Sequence, residues 1–163
     1  MEGAGIGAEG DPERVIADAL ATRGSWAGPL IPVLNAIHDR LGFLPPQTVE
    51  RVAAGLNLSR AEVHGVITFY HDYRRTPPGR HVLKLCRAEA CQSMGANDLV
   101  AHMTRRHGLE LHATAEDGSI TLEPVYCLGN CACAPALMID GRLVGRVTAD
   151  TLDALVRDPE AGA

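Results

Sequence analysis

Two stretches, HVLKLCRAEAC at residues 81–91 and VYCLGNCACAP at 125–135, hold all five cysteines of the 163-residue chain. His81 to Leu85 reads as a strand ending at Cys86, and Ile120, Leu122 and Val125 mark another that runs out just before Cys127. Each cysteine pair therefore follows a strand and is expected in a loop at its end. If the two strands are neighbours in a sheet, Cys86, Cys91, Cys127 and Cys131 converge at one edge. Four converging thiolates bind either a tetrahedral zinc ion or an iron–sulfur cluster. Four residues separate Cys86 from Cys91, and three separate Cys127 from Cys131. Zinc knuckles most often use two, whereas a binuclear cluster is wider and lets each pair grip its own iron. The spacing favours [2Fe–2S] and leaves zinc as the alternative. A cluster with four thiolates carries a charge of about −2, or about −3 once reduced, and calls for backbone N–H donors around its sulfurs. Gly95, Gly129 and Asn130 are the residues expected to let backbone come close, through positive φ where needed.

Around the cysteines the sequence alternates between strand and helix signals. A helix is expected over about 96–107, with Leu99, Val100 and Met103 inward. Leu109, Leu111 and Ala113 alternate as in a strand, and Asp117-Gly118 turns the chain into the strand before Cys127. Ala136 to Ile139 and Leu143 to Val147 flank Asp140-Gly141, a second hairpin signal. Thr148 caps a last helix bearing Leu152, Leu155 and Val156. Upstream the pattern is helical throughout. Asp11-Pro12 is an N-cap with a first-turn proline, followed by Val15, Ile16, Ala19 and Leu20. Leu30, Val33, Leu34, Ile37 and Leu41 recur at helical spacing up to Gly42. Pro45-Pro46 opens a helix with Val49, Val52, Ala53 and Leu56. Ser59 and Glu62 form a capping box for a fourth, with Val63, Val66, Ile67 and Tyr70 on one face. The expected organisation is a disordered tail at 1–10, a helical bundle at 11–75, a break around Pro77-Pro78-Gly79, and a small α+β domain at 80–157.

Composition narrows the function classes. Hydrophobic residues make up 46% and charged residues 21%, so a packed core is expected rather than disorder. The formal net charge is −5 with basic residues scattered, which disfavours nucleic acid or an anionic membrane as partner. No apolar run approaches the ~20 residues needed to span a bilayer. MEGAGIGAEGD has neither a basic n-region nor an apolar h-region, so a cytoplasmic location is expected, where thiols stay reduced.

The motifs CRAEAC, VYCLGNCACAP and MIDGRLVGRV resemble the thioredoxin-like [2Fe–2S] subunit family of NADH-oxidising complexes. That family includes the small iron–sulfur subunit of respiratory complex I, the equivalent subunit of NAD-reducing hydrogenases, and the gamma subunit of soluble NAD-dependent formate dehydrogenase. Upstream, LIPVLNAIHDRLGFLPP and LNLSRAEVHGVITFYHDYR carry the same likeness, which spans about residues 25–157. It implies an N-terminal helical bundle followed by a thioredoxin-like domain, and one [2Fe–2S] cluster held by Cys86, Cys91, Cys127 and Cys131. It also implies a non-catalytic electron-transfer subunit of an NAD-dependent oxidoreductase, seated beside a flavin- and NAD-binding subunit. FMN and NAD are then expected in that partner alone. The FYHDYR segment looks most like the formate dehydrogenase gamma subunit, which would add a larger molybdenum formate-oxidising subunit.

Other readings of individual residues are less specific. Cys133 is expected to be a small packed residue of the CACAP turn; its alternative role is to replace Cys131 as a ligand. Cys-x-x-Cys is absent, which argues against dithiol redox chemistry. No GxGxxG follows a strand, so the chain itself is not expected to bind a dinucleotide. Seven histidines are spread along the chain; His64 and His71 are expected at the surface or an interface, and none lies in a cysteine loop, against a Rieske-type site. Trp26 is expected to pack where the helices meet. Arg74, Arg75, Arg80 and Arg87 bracket the domain junction and the first cysteine loop; a solvated face is the expected reading, and the alternative is that cations close to an anionic cluster shift its potential upward. Outside the resemblance, two rivals remain: a zinc-stabilised structural adaptor and a free-standing ferredoxin. The helical first half argues against the second.

Overall fold

The computed structural model describes residues 10–160, and the chain divides into two compact units at Pro77/Pro78. The expectation of a disordered tail lies, apart from Gly10, outside the described residues.

The first unit is all helical: α1 Pro12–Arg23, α2 Leu30–Leu41, α3 Gln47–Leu56 and α4 Arg60–Phe69. Local chemistry sets the ends. The Asp11 carboxylate accepts from the Glu13 N–H, and Ser59 and Glu62 complete a reciprocal capping box. Gly42 and Asn57 close α2 and α3 in the left-handed region, at φ 75° and 54°. The core joins Val15 and Ile16 of α1 to Val33, Leu34, Ile37 and Leu41 of α2, Val52 of α3, and Val63 and Ile67 of α4. Each such side chain contributes roughly 1.5–3 kcal/mol by leaving water. At Gly55 a Cβ would lie 2.8 Å from Leu20, so α1 and α3 meet through the missing side chain. Two expectations fail here. Tyr70 ends α4 in extended conformation and is 44% exposed, because the helix stops before its side chain can turn inward. Trp26 is 55% exposed and lies under the Arg23 guanidinium at 5.9 Å instead of packing between helices.

The second unit is α+β. Its strands are β1 His81–Cys86, β2 Ala113–Thr114, β3 Ile120–Val125, β4 Leu137–Ile139 and β5 Arg142–Val144, in sheet order β2-β3-β1-β4-β5. β1 runs parallel to β3 and antiparallel to β4. The helices are α5 Glu89–Ser93, α6 Ala96–His107 and α7 Ala149–Arg157. Leu83 and Leu85 share one face of β1, and with Leu122, Leu137 and Ile139 they pack against Leu99 and Met103 of α6 and Leu152 and Leu155 of α7. Cys86 falls on the other face by the two-residue period and is buried with Cys91, Ala96 and Ala136.

Asp140 and Gly141 take φ 48° and 85°, the tight hairpin turn their sequence signals. The Asp140 carboxylate also accepts from the Val82 N–H at 2.8 Å and meets His81 Nδ1 at 2.7 Å, pinning the turn to the start of β1. Of the strand expected over 109–113 only Ala113 is extended, in the two-residue β2. Leu109 is drawn into the core where α6 ends at Gly108, and His112 at φ 66° breaks the extended backbone. β5 likewise stops early, because Arg146 at φ 51° turns the chain away.

Candidate metal centre

The parallel pairing places Cys86 at the end of β1 opposite Val125 at the end of β3, two residues before Cys127. Both cysteine loops therefore leave the same end of the sheet. Cys91 lies in α5, a five-residue helix that sequence reading takes for loop, and Cys131 opens a 3₁₀ turn at Cys131–Cys133. All five thiols are free; Cys86 and Cys91 are buried, while Cys127 and Cys131 are exposed.

The four sulfurs form two pairs. The Cys127 and Cys131 sulfurs lie 4.0 Å apart, and Cys86 and Cys91 are buried in one cluster with Ala96 and Ala136. The pairs feel one another: charge on Cys86 makes Cys131 harder to ionise, and charge on Cys131 acts on Cys91 in the same way. Burial pushes the Cys86 thiol up, yet backbone donors at Ala88, Leu128 and Cys127, together with the Cys91 thiol, bring it below its ordinary value. Cys91 is raised, first by burial and then by Cys86, against a backbone hydrogen bond from Ala136. Cys131 is raised mainly by the hydrogen bond and charge of Cys127. Cys86 is thus the thiol whose ionisation the fold favours.

This arrangement suits a binuclear cluster better than one ion. Zinc binds thiolates at about 2.3 Å, so its ligand sulfurs sit about 3.8 Å from one another. Among the described residues, no three of the cysteine sulfurs come within 4.8 Å of one another. Two separated pairs are what two irons require. The Gly129 N–H donates to the Cys127 sulfur at 3.3 Å, the kind of contact an anionic cluster calls for. Arg87, directly after Cys86, has its Nε buried without a protein partner, and its cationic side chain suits an anionic neighbour.

The glycine expectations are partly corrected. Gly95 and Gly129 do adopt positive φ, at 96° and 74°, but Asn130 sits at −108°, and Cys127 itself takes the strained value of 116°. The bond between the Cys127 sulfur and the Gly129 N–H helps hold that conformation. The Cys133 Cβ packs on Gly145, where an added Cβ would approach to 2.7 Å, and Cys133 is half-buried. His64 and His71 are exposed. Sequence reading missed one cluster of metal-ligand side chains, His102, His107 and Asp153, whose members lie on two helices far apart in the chain.

Residues 16–160 match the thioredoxin-like [2Fe–2S] ferredoxin family. An NADH-quinone oxidoreductase subunit of Pseudomonas aeruginosa is 37% identical over 120 residues, covering 74% of this chain and 72% of the relative. The HndA subunit of the NADP-reducing hydrogenase of Solidesulfovibrio fructosivorans is 29% identical over 121 residues, covering 74% and 71%. Among solved structures, NAD⁺-reducing [NiFe]-hydrogenase in the air-oxidised state superposes with a TM-score of 0.66 at 23% identity. That match covers 81% of this chain but 23% of the hydrogenase chain, so the likeness is one of fold over a portion of a longer protein.

Proposed function

The chain belongs to the thioredoxin-like [2Fe–2S] ferredoxin family, and from that premise we propose that it is a one-electron relay subunit of an NAD-dependent oxidoreductase. Cys86, Cys91, Cys127 and Cys131 would hold one [2Fe–2S] cluster, which when bound takes up and releases a single electron. The observation that carries the reading is that both cysteine loops leave the same end of the sheet, where the Cys127 and Cys131 sulfurs lie 4.0 Å apart and the Gly129 N–H donates to Cys127. Cys86 and Cys91 shield one side from water, while Cys127 and Cys131 stay near the surface, where an electron must cross to a partner. The partner is a flavin- and NAD-binding subunit in the cytoplasm, and FMN and NAD belong to it. The named relatives, subunits of NADH-quinone oxidoreductase and of an NADP-reducing hydrogenase, support that setting. Among the described residues no helix is long and apolar enough to cross a membrane.

The helical unit serves docking in this reading. Its exposed Trp26, Ile31, Phe69 and Tyr70 give a partner apolar surface to cover. Within the class, the FYHDYR segment at 69–74 favours the gamma subunit of a formate dehydrogenase, with a molybdenum subunit completing the complex. Isolation of the native complex tests both levels. Two irons per chain and a rhombic spin-half EPR signal on reduction support the relay; a colourless chain with one sulfur-bound zinc overturns it. Co-purification of a formate-oxidising subunit supports the finer reading, and a membrane arm or a nickel subunit replaces it.

A further inference from the structure

On the helical face of the second unit, two imidazoles from α6 and one carboxylate from α7 meet. His102 Nε2 and His107 Nε2 each lie 2.7 Å from the same oxygen, Asp153 Oδ1. Among the described residues this is the sole set of three ligand-type side chains whose donor atoms fall within 4.8 Å of one another. We propose that His102, His107 and Asp153 form a binding site for a divalent transition cation of the zinc class, stapling α6 to α7.

Three features support a built site. First, the ligands stand on anchored backbone: Met103, next to His102, and Leu152, next to Asp153, are both fully buried. Second, the donor set is selective. Two imidazole nitrogens and one carboxylate oxygen suit zinc, cobalt, nickel or copper, and not calcium or magnesium, which prefer all-oxygen shells. Third, the side chains keep 24%, 18% and 27% of their surface exposed, so water can complete the coordination shell. The arms need little movement. An ion about 2.1 Å from each donor wants the donors roughly 3–3.4 Å apart, a retreat of about half an ångström for the carboxylate. Without an ion, one oxygen accepts from both rings; with it, the cation takes the Nε2 positions and each neutral ring carries its proton on Nδ1 instead, any second proton of an imidazolium leaving to water. Arg157 does not obstruct, because its Nε turns to the Asp153 backbone carbonyl at 3.0 Å.

The test is zinc binding to the full chain with its cysteine site filled, by competition with a chromophoric chelator and by zinc X-ray absorption. One equivalent of Zn²⁺ with nitrogen and oxygen ligands is expected, and His102→Gln, His107→Gln and Asp153→Asn should each weaken it at least tenfold. Asp153→Asn keeps the side chain's size and an acceptor oxygen, so its loss of zinc with an unchanged circular dichroism spectrum separates ligation from folding. Equal retention of zinc by wild type and all three variants, or a zinc shell of sulfur alone, overturns the site. The iron content and EPR signal of the same samples report the cysteine centre separately, so failure of one reading is not mistaken for failure of the other.

Discussion

Cys86 at the last position of one strand lies opposite Val125 at the last position of its parallel neighbour. That register brings loops from distant parts of the chain to a common end of the sheet, and the cysteine predictions rest on it.

Replacing Cys86, Cys91, Cys127 or Cys131 by Ser removes a proposed ligand, and each is expected to abolish or badly destabilise the cluster. Cys133→Ser should leave it largely intact, because Cys133 is taken as a packing residue whose Cβ lies against Gly145. Iron content and the EPR signal of the reduced protein check this; a harmless Cys131→Ser would assign the fourth ligand to Cys133.

Arg87→Gln removes a cation whose Nε is buried directly after Cys86. Reduction makes an iron–sulfur centre more negative, so loss of a neighbouring positive charge disfavours it. The midpoint potential should fall by on the order of tens of millivolts in an EPR-monitored redox titration. An unchanged potential would mean that Arg87 faces away from the centre.

Gly145→Ala drives a methyl to 2.7 Å from the Cys133 Cβ and 2.8 Å from Asn130 Nδ2. The same segment is tied down by the Arg146 N–H donating to the Cys133 carbonyl at 2.7 Å, so it cannot swing clear cheaply. Overpacking of this kind costs about 1–3 kcal/mol. Lower thermal stability and faster bleaching of the cluster are expected together, since the crowded turn also carries Cys131.

Hydrogen bonds from His102 and His107 lower the Asp153 carboxyl from 3.8 to about 2. A folded value below the ordinary one gives stability that is present above pH 3.8 and lost as pH falls towards 2. In chelator-treated, cluster-free protein, the Asp153 carboxyl carbon should titrate with an NMR midpoint of about 2. Asp153→Asn should flatten the acid limb of the urea midpoint; an ordinary midpoint in wild type would show that the two imidazoles do not engage the carboxylate in solution.

A chain beginning at Pro78 keeps the sheet core of the second unit, which is separate from the core of the helical unit. It is expected to assemble the cluster and to fail to co-purify with the flavin subunit. Full-affinity capture would place docking in the second unit, and loss of the cluster would make the helical unit part of the site's fold.

Local signals were legible where a few adjacent residues suffice. Asp11-Pro12, Ser59 with Glu62, Thr148 and Asp140-Gly141 each mark a boundary through one side chain's hydrogen bond or one backbone preference. The strand signals before Cys86 and Cys127 likewise marked the two loops that leave one end of the sheet. What escaped depends on tertiary context. The alternation of Leu109, Leu111 and Ala113 imitates a strand, but a single positive φ at His112 ends it. Asn130 is by residue type the natural host for positive φ, yet the sulfur contact with Gly129 places that strain on Cys127. His102 and His107 are five apart on one helix and acquire their partner from another, so no spacing rule could join them to Asp153.

The β1–β3 pairing also constrains the order of folding. His81 pairs with Ile120, so the ladder can close only after the whole intervening chain, α6 included, has been made. Contacts of such long sequence separation form slowly, because loop-closure entropy is lost before the pairing rewards it. During synthesis Cys86 and Cys91 emerge well before Cys127 and Cys131, and for that interval they are half a site. Delivery of iron and sulfide is therefore expected after the sheet has zipped, once both cysteine pairs have left the ribosome.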